Sequence, residues 1–301
     1  MRDISLGQYY PTKSVLHKMD ARTKLVLVIA YVVMLFFIPS IDKYLALGGR
    51  LGEYIVRVSI SFFVVAIFFL VAVFCSRVPL LKVLKSIRAV IFLVVFTAVI
   101  MMLFYSGTAN HVYWSWGIIT VSLEGIISAA VMAARLFLLV MGPSLLTLTT
   151  TPVELTDGIE RLLKPLTYIK VPVHDIAIIM SIALRLIPTL IEETDKITAA
   201  QKARCAEFDD GNIFKKAKAM IPVLVPLLVS SFRRADELAY AMDSRCYSGA
   251  KNRTRMKVMK LGVRDAVAFV AMAAVFFAVL TVVYNYFGVA AAIADWAYAL
   301  I

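Results

Sequence analysis

Five long runs of apolar residues restrict the fold of this chain more than any other feature. They begin with residues 25–38, a run that can extend past Pro39 towards Ala46, and continue with 54–74, 89–105, 118–148 and 266–286. A helix of about 20 apolar residues crosses the hydrocarbon core of a bilayer, and backbone polar groups in lipid must be hydrogen-bonded within the protein. Since the runs do not alternate apolar with polar residues, they predict helices rather than the strands of a barrel.

The composition supports the same class of protein. Hydrophobic residues make up 61% and charged residues 17% of the 301 positions, against about 45–50% and about 25% in soluble domains. A soluble chain of this length cannot bury such an excess of apolar surface. We therefore predict an all-α integral membrane protein with about five transmembrane helices.

The basic residues predict on which side of the membrane each loop lies. Five precede the first apolar run (Arg2, Lys13, Lys18, Arg22 and Lys24), four lie between the second and third (Arg77, Lys82, Lys85 and Arg88), and residues 106–117 contain none. Because cytoplasmic loops carry the excess of Lys and Arg, the N-terminus is predicted to be cytoplasmic. Membrane topology then explains the net charge of +12 better than binding to nucleic acid does.

The segment from residue 151 to residue 264 decides the domain organisation. Its two further apolar runs, 176–191 and 219–232, are short, and the first contains Arg185, which costs about 2.5–3.5 kcal/mol at a bilayer centre. If both crossed the membrane, six basic residues between them would lie outside (Lys196, Lys202, Arg204, Lys215, Lys216 and Lys218). We predict two long cytoplasmic helices here, between an N-terminal domain of four spans (1–150) and a C-terminal transmembrane segment (265–301). The alternative is two more spans.

Two stretches of this segment, DKITAAQKARC and DELAYAMDSRC, end in similar triplets 41 residues apart. The triplets are Ala203-Arg204-Cys205 and Ser244-Arg245-Cys246. Small residues beside an arginine let a second backbone approach, and the planar guanidinium can form two hydrogen bonds with a carboxylate or with carbonyl groups. The pair predicts a docking device with two contacts. The arginines can also be solvated helix-end charges that share a polar face with Asp195 and Asp236.

No catalytic motif is recognisable in the sequence. It has no GxxxxGK[ST] nucleotide-binding loop, no GxSxG nucleophile turn and no cluster of histidines and carboxylates. Glu192, Glu193 and Asp195 are expected on a solvated helix face rather than in an acid–base site. We therefore predict a non-catalytic protein that acts through partners and binds no metal or cofactor itself. A self-contained secondary transporter and a membrane-embedded enzyme are the alternatives.

Four segments of the chain, taken in order, resemble one known family. SVLHKMDARTKL (14–25) resembles its N-terminal motif, and RLFLLVMGPSLLTLTTTPVELTDGIERLLKPL (135–166) resembles the end of its fourth span and the following turn. ALRLIPTLIEETDKITAAQKARCAEF (183–208) and SSFRRADELAYAMDSRCY (230–247) resemble its two coupling helices. The family is the transmembrane (T) component of energy-coupling factor (ECF) transporters, and the likeness covers nearly the whole chain.

The resemblance implies a subunit of an importer in the cytoplasmic membrane of a bacterium or archaeon. Both triplets would dock into two ABC-type ATPases, which hold ATP and Mg²⁺, and the chain would contact a substrate-binding membrane (S) subunit, one or several interchangeable ones. The implied cargo is a vitamin or related micronutrient, with nickel or cobalt ions as the alternative. The family's triplets end in glycine, whereas both triplets here end in cysteine. We therefore expect the two helices to continue to Gly211 and Gly249.

Five charged residues have candidate structural or coupling roles: Asp20, Arg22 and Arg135 near the spans, and Asp195 and Asp236 in the two repeated stretches. Asp20 and Arg22 are expected to cap or pair at the start of the first span. Arg135 lies inside the fourth apolar run, where a charged side chain is a functional hypothesis by default. It can also extend to the membrane interface or pair with Glu124.

Overall fold

The computed structural model describes residues 9–12, 14–41, 51–88, 90–105, 112–116, 119–206, 213–247, 249 and 262–284. The chain divides into two compact units, which we call the core unit and the arm unit. The core unit comprises residues 7–151 and 259–301, and the arm unit comprises residues 1–6 and 152–258.

Helices dominate both units, which confirms the predicted all-α class. The core unit contains α1 (Ala21–Phe37), α2 (Leu51–Ser76), α3 (Leu80–Ile87), α4 (Ile91–Leu103), β1 (Val112–Trp116), β2 (Ile119–Ser122), α5 (Leu123–Thr149) and α9 (Val263–Tyr284). The arm unit contains α6 (Pro152–Leu162), a 3₁₀ helix (Lys164–Ile169), α7 (Val173–Ala203) and α8 (Ile213–Asp243).

A short hairpin precedes α5 and differs from the loop that the sequence predicts there. Strands β1 and β2 pair antiparallel, with Trp116 opposite Ile119. The hairpin leads directly into α5, where the Ser122 hydroxyl accepts a hydrogen bond from the Gly125 backbone N–H at 3.1 Å. This N-cap satisfies one of the donors that a helix leaves free at its start.

Four described helices are long and apolar enough to cross a membrane: α2, α5, α7 and α9. Two other predicted spans form shorter helices, since α1 has 17 residues and α4 has 13. Helix α7 meets the same criteria of length and composition, although the basic residues predict it to be cytoplasmic. Length and composition do not report on which side of a membrane a helix lies, so the cytoplasmic position of α7 stays a prediction.

The interior of the core unit is built from one face of each long helix. On α2 this face consists of Tyr54, Val58, Ser61, Val65, Phe69, Val73 and Ser76, spaced three or four residues apart. It packs with Tyr31, Met34 and Leu35 of α1, Leu138, Met141 and Leu145 of α5, and Met272 and Val279 of α9. Side chains on the opposite face of α2 are exposed, among them Phe63 and Phe74 at 66% and 71%, whereas Phe62 and Phe68 are partly buried against the interior. Exposed large apolar side chains on a long apolar helix are typical of a lipid-facing surface.

Helices α1 and α5 approach closely where Gly142 meets Tyr31. A Cβ atom at position 142 would lie 2.6 Å from two carbons of the Tyr31 ring, so glycine is required for this contact. Pro143 follows and removes one backbone donor from α5. The Tyr31 hydroxyl donates to the Leu138 carbonyl oxygen at 3.0 Å. Pro143 leaves the Leu139 carbonyl group without its helical donor, so the hydrogen bond to Leu138 holds the Tyr31 ring against α5 and does not replace the missing donor.

The antiparallel helices α1 and α5 also cap each other's C-terminal ends. The Lys24 ammonium near the start of α1 donates to the Thr149 carbonyl oxygen at 2.9 Å and to the Thr150 hydroxyl at 3.1 Å. The Arg135 guanidinium of α5 donates to the Ile38 carbonyl oxygen at 2.6 Å, at the end of α1. Cations are favoured at helix C-termini because the carbonyl groups there carry partial negative charge. Each helix therefore contributes one cation to the other.

Of the alternatives considered for Arg135, the pairing with Glu124 is wrong. The two residues lie 11 positions apart on one helix, which separates them by about 16 Å along its axis. The guanidinium instead bonds to the Ile38 carbonyl oxygen.

Asp20 and Arg22 lie at the start of α1, where Asp20 is the N-cap. Its carboxylate accepts from the Arg22 backbone N–H at 3.1 Å, and the Arg22 guanidinium lies 3.7 Å away. The buried Asp265 carboxylate accepts from the backbone N–H of Asp20 at 3.1 Å and from that of Gly262 at 2.8 Å. One carboxylate thereby joins the starts of α1 and α9.

Candidate functional site: two matching helix ends

Helices α7 and α8 of the arm unit pack as an antiparallel pair. The Glu193 carboxylate accepts from the Ser230 hydroxyl and from the Arg234 guanidinium, the latter at 3.0 Å. Further along, the Gln201 amide donates to the Pro222 carbonyl oxygen at 3.5 Å. Rising residue numbers on α7 thus match falling numbers on α8, so the two helices end at opposite ends of the pair.

The contact between Glu193 and Arg234 joins equivalent positions of the sequence repeat. These two residues are 41 positions apart, which is also the separation of Arg204 from Arg245. A contact between equivalent positions of two antiparallel helices places an approximate two-fold axis near it. Each arginine of the triplets lies 11 residues beyond its own member of the ion pair, or about 16 Å along its helix. The two helix ends are therefore about 30 Å apart and related by approximate symmetry.

The end of α7 is closed by a Schellman motif. The backbone N–H of Cys205 donates to the Lys202 carbonyl oxygen, and that of Ala206 donates to the Gln201 carbonyl oxygen, both at 3.0 Å. Cys205 has a φ angle of 64°, in the left-handed region. This is the conformation that glycine usually provides one residue after the last helical turn.

The end of α8 has the same hydrogen bonds at equivalent residues. The backbone N–H of Cys246 donates to the Asp243 carbonyl oxygen at 2.9 Å, and that of Tyr247 donates to the Met242 carbonyl oxygen at 3.1 Å. Cys246 has a φ angle of 55°. The sequence repeat is thus reproduced as a repeat of backbone conformation.

The expectation that the helices continue to Gly211 and Gly249 is wrong. Helix α7 ends at Ala203 and α8 at Asp243, and each cysteine adopts the left-handed conformation itself. This conformation costs an L-residue about 1–2 kcal/mol. The two backbone hydrogen bonds of the motif offset the cost, since each contributes about 0.5–1.5 kcal/mol.

All six residues of the triplets are exposed: Ala203, Arg204, Cys205, Ser244, Arg245 and Cys246. Among the described residues, neither arginine of the triplets takes part in an ion pair. Asp195 and Asp236 are also exposed, and each lies nine residues before the arginine of its copy, about 13 Å along the helix. Two guanidinium groups and two thiols are therefore available at the surface of the arm unit.

The arm unit also exposes a row of apolar side chains on α8, which we call the α8 stripe. It consists of Met220, Ile221, Leu224, Val225, Leu228, Val229 and Phe232, exposed by 48–70%. Their spacing places them on one face of the helix. A continuous apolar surface of this kind is typical of a region that contacts another protein or a membrane.

Sequence reasoning missed the polar contact at the middle of the arm unit. Glu193 was expected on a solvated face, but it is partly buried and bonded to Ser230 and Arg234. The separation of 41 residues between Glu193 and Arg234 is the signal that could have found the contact. Their opposite charges hide the equivalence, because a repeat is usually recognised by identical residues.

Comparisons with known proteins agree with one another. The sequence model of the CbiQ family, described as cobalt transport protein, matches residues 54–256. The energy-coupling factor transporter transmembrane protein EcfT of Ruminiclostridium cellulolyticum is 48% identical over 260 residues, which cover 86% of this chain and 90% of the relative. The protein of the same name from Clostridium kluyveri is 46% identical over 89% of this chain and 92% of its own length. The one from Lactococcus lactis subsp. cremoris is 40% identical over 90% of this chain and 95% of its own length.

Proposed function

Because the chain belongs to this family, the transmembrane components of energy-coupling factor transporters, we propose that it couples two cytoplasmic ABC-type ATPases to a substrate-binding membrane subunit. One observation carries the proposal: a single antiparallel helix pair ends in two exposed, matching, arginine-bearing triplets. ATP and Mg²⁺ belong to the ATPases, and this chain is a non-catalytic subunit.

The approximate two-fold relation of the helix ends suits a pair of similar ATPases. Two similar subunits related by a two-fold axis present two equivalent surfaces. Arg204 and Arg245 lie at equal distances from the Glu193–Arg234 contact, so each can bind the equivalent groove of one ATPase. The arginines would bind carboxylates or backbone carbonyl groups there, which the planar guanidinium can contact through two hydrogen bonds.

The polar contact in the middle of the pair gives a physical route for coupling. When the ATPases approach or separate, they move the two helix ends relative to each other. The Glu193, Ser230 and Arg234 side chains hold the helices together where they cross, so a displaced end moves the whole helix. The α8 stripe is the surface that we propose for the substrate-binding subunit, since that partner is itself a membrane protein with apolar surface.

Charge reversal at the two arginines tests the proposal. We expect Arg204→Glu or Arg245→Glu to weaken retention of the ATPases on this chain, and the double variant to abolish it. Arg→Lys variants should recover part of the binding, because lysine keeps the charge but loses the two-pronged geometry. The measurement is co-purification of the ATPases in mild detergent, with Lys196→Glu, an exposed position of α7, as the matched control. Normal assembly and uptake by the double variant would refute docking through these residues.

The native cysteines test the proposed orientation in the cytoplasmic membrane. Cys205 and Cys246 are exposed free thiols beside the two arginines. We expect a membrane-impermeant maleimide to label them in inside-out vesicles and not in intact cells, with the double Cys→Ser variant as the control. Labelling from the outside of intact cells would contradict a cytoplasmic arm unit.

The proposed cargo is a vitamin or related micronutrient, bound by the partner subunit. Cobalt or nickel ions are a second candidate, because the matching family is described as a cobalt transport protein. Mass spectrometry of the subunits that co-purify, followed by uptake assays with that complex, distinguishes the two. Uptake by this chain alone in vesicles would instead support a secondary transporter.

A further inference from the structure

An apolar cavity of about 190 Å³ lies within the core unit, between α1, α2, α5 and α9. Its lining includes Leu27, Phe68, Ala72, Gly142, Leu145 and Ala268. The lining is almost entirely apolar, and the cavity is partly open; the exposed Cys75 is among its lining residues. The proposed function does not use this cavity.

The shape of the cavity favours a narrow chain over a compact molecule. On α1 and α5 the lining extends from Lys24 to Tyr31 and from Gly142 to Thr149, which corresponds to about 10 Å along each helix. Its volume is below the roughly 300–1,000 Å³ of pockets that enclose drug-sized ligands. A hydrocarbon chain that lies parallel to the helices fits these limits.

Two exposed cations lie close in the sequence to residues that line one end of the cavity. Lys18 and Arg77 are exposed; Lys18 directly precedes the lining residue Met19, and Arg77 lies two residues after the lining residue Cys75. The acidic residues at this end of α1 and α9, Asp20 and Asp265, are buried and accept backbone hydrogen bonds. The two exposed cations are therefore available to an anion outside the cavity, beside an apolar interior.

We infer that the cavity binds one acyl chain of an anionic phospholipid, whose phosphate group lies over Lys18 and Arg77. The apolar lining contacts the acyl chain. Lipid is present at any opening between the helices, because the transmembrane helices are surrounded by bilayer. The exposed cations attract the headgroup, since lysine and arginine near an anionic membrane surface each contribute favourably. With the proposed orientation, the lipid comes from the cytoplasmic leaflet.

Photocrosslinking tests the site on the full-length chain in nanodiscs. The probe is phosphatidylglycerol with a diazirine on its acyl chain, and crosslinked peptides are identified by mass spectrometry. We expect crosslinks concentrated at residues 68–75 and 142–149, which unlabelled phosphatidylglycerol prevents. Phosphatidylcholine should compete at least tenfold less well, and inorganic phosphate should not compete. Equal competition by both lipids, or crosslinks spread evenly over the exposed face of α2, would overturn the inference.

Two sets of variants test the acyl-chain contact and the headgroup contact separately. Ala268→Leu should fill the cavity and reduce crosslinking at least tenfold, whereas Ala271→Leu, at an exposed position of the same helix, should leave it unchanged. Lys18→Gln and Arg77→Asn should each weaken binding about fivefold, with Arg88→Gln as the exposed control. Asparagine is chosen at position 77 because the residue has a φ angle of 55°, which asparagine tolerates.

The wild-type competition experiment decides the inference even if a variant fails to fold. None of these measurements involves the ATPases. Loss of the lipid site would therefore leave the proposed coupling function intact, and loss of the docking function would leave the lipid site intact.

Discussion

Replacing Cys205 by glycine or by valine tests whether ATPase binding depends on the backbone conformation at the end of α7 or on the cysteine thiol. At a φ angle of 64°, an L-residue is destabilised by about 1–2 kcal/mol, a cost that glycine avoids. Glycine also lowers the stability of the folded state by about 0.5–1 kcal/mol, because the unfolded chain is more flexible at a glycine. The net effect of Cys205→Gly is a helix end that is more stable by up to about 1 kcal/mol.

Valine at the same position should open the helix end. A β-branched residue in the left-handed region is a strong outlier, and relief of the strain breaks the two hydrogen bonds from Cys205 and Ala206. At about 1 kcal/mol for each bond, the loss is about 2 kcal/mol. If docking requires the closed end, ATPase binding should weaken about 30-fold for Cys205→Val. It should stay equal or become up to about fivefold tighter for Cys205→Gly.

The assay is the dissociation constant of the ATPases for the purified chain in nanodiscs. Hydrogen exchange at the Ala206 amide reports directly on whether the helix end is closed. The same substitutions at Cys246 provide an internal replicate, because α8 ends in the same motif. If glycine weakened binding as much as valine while the Ala206 amide stayed protected, the thiol itself would be the recognised group, and the reasoning from backbone shape would be refuted.

Three further substitutions test the contacts that hold the two units in shape. Lys24→Met should lower the thermal unfolding midpoint in detergent, because a hydrogen bond from a charged group contributes about 1.5–3 kcal/mol; an unchanged midpoint would show that the ammonium is not needed as a cap. Gly142→Ala should lower the free energy of unfolding by about 1–3 kcal/mol, because the added methyl group overpacks against the Tyr31 ring. The loss should be far smaller in a Tyr31→Leu background, so additive effects in that double-mutant cycle would contradict the clash. Glu193→Arg should uncouple ATP hydrolysis from uptake by placing like charges together, and the exchange Glu193→Arg with Arg234→Glu should restore coupling; failure of the exchange to rescue would exclude the ion pair as the cause.

The sequence by itself determined the class of the protein and the elements that depend on nearby residues. The apolar runs predicted a helical membrane protein, since lipid accepts only elements whose backbone groups are bonded internally. The repeated triplets were visible because both copies keep the same residue types at the same spacing. Four segments in order were enough to identify the family, which the comparisons confirm.

Only the tertiary structure decided how distant residues combine. Glu193 and Arg234 look like separate surface charges until antiparallel packing brings the two copies of the repeat into contact at equivalent positions. Lys24 and Arg135 become reciprocal helix caps only because α1 and α5 are antiparallel and in register. The cysteines of the triplets end their helices because each end forms a complete set of backbone hydrogen bonds. Residue type and spacing describe local preferences, whereas these contacts depend on the register between helices, which arises only when the chain packs.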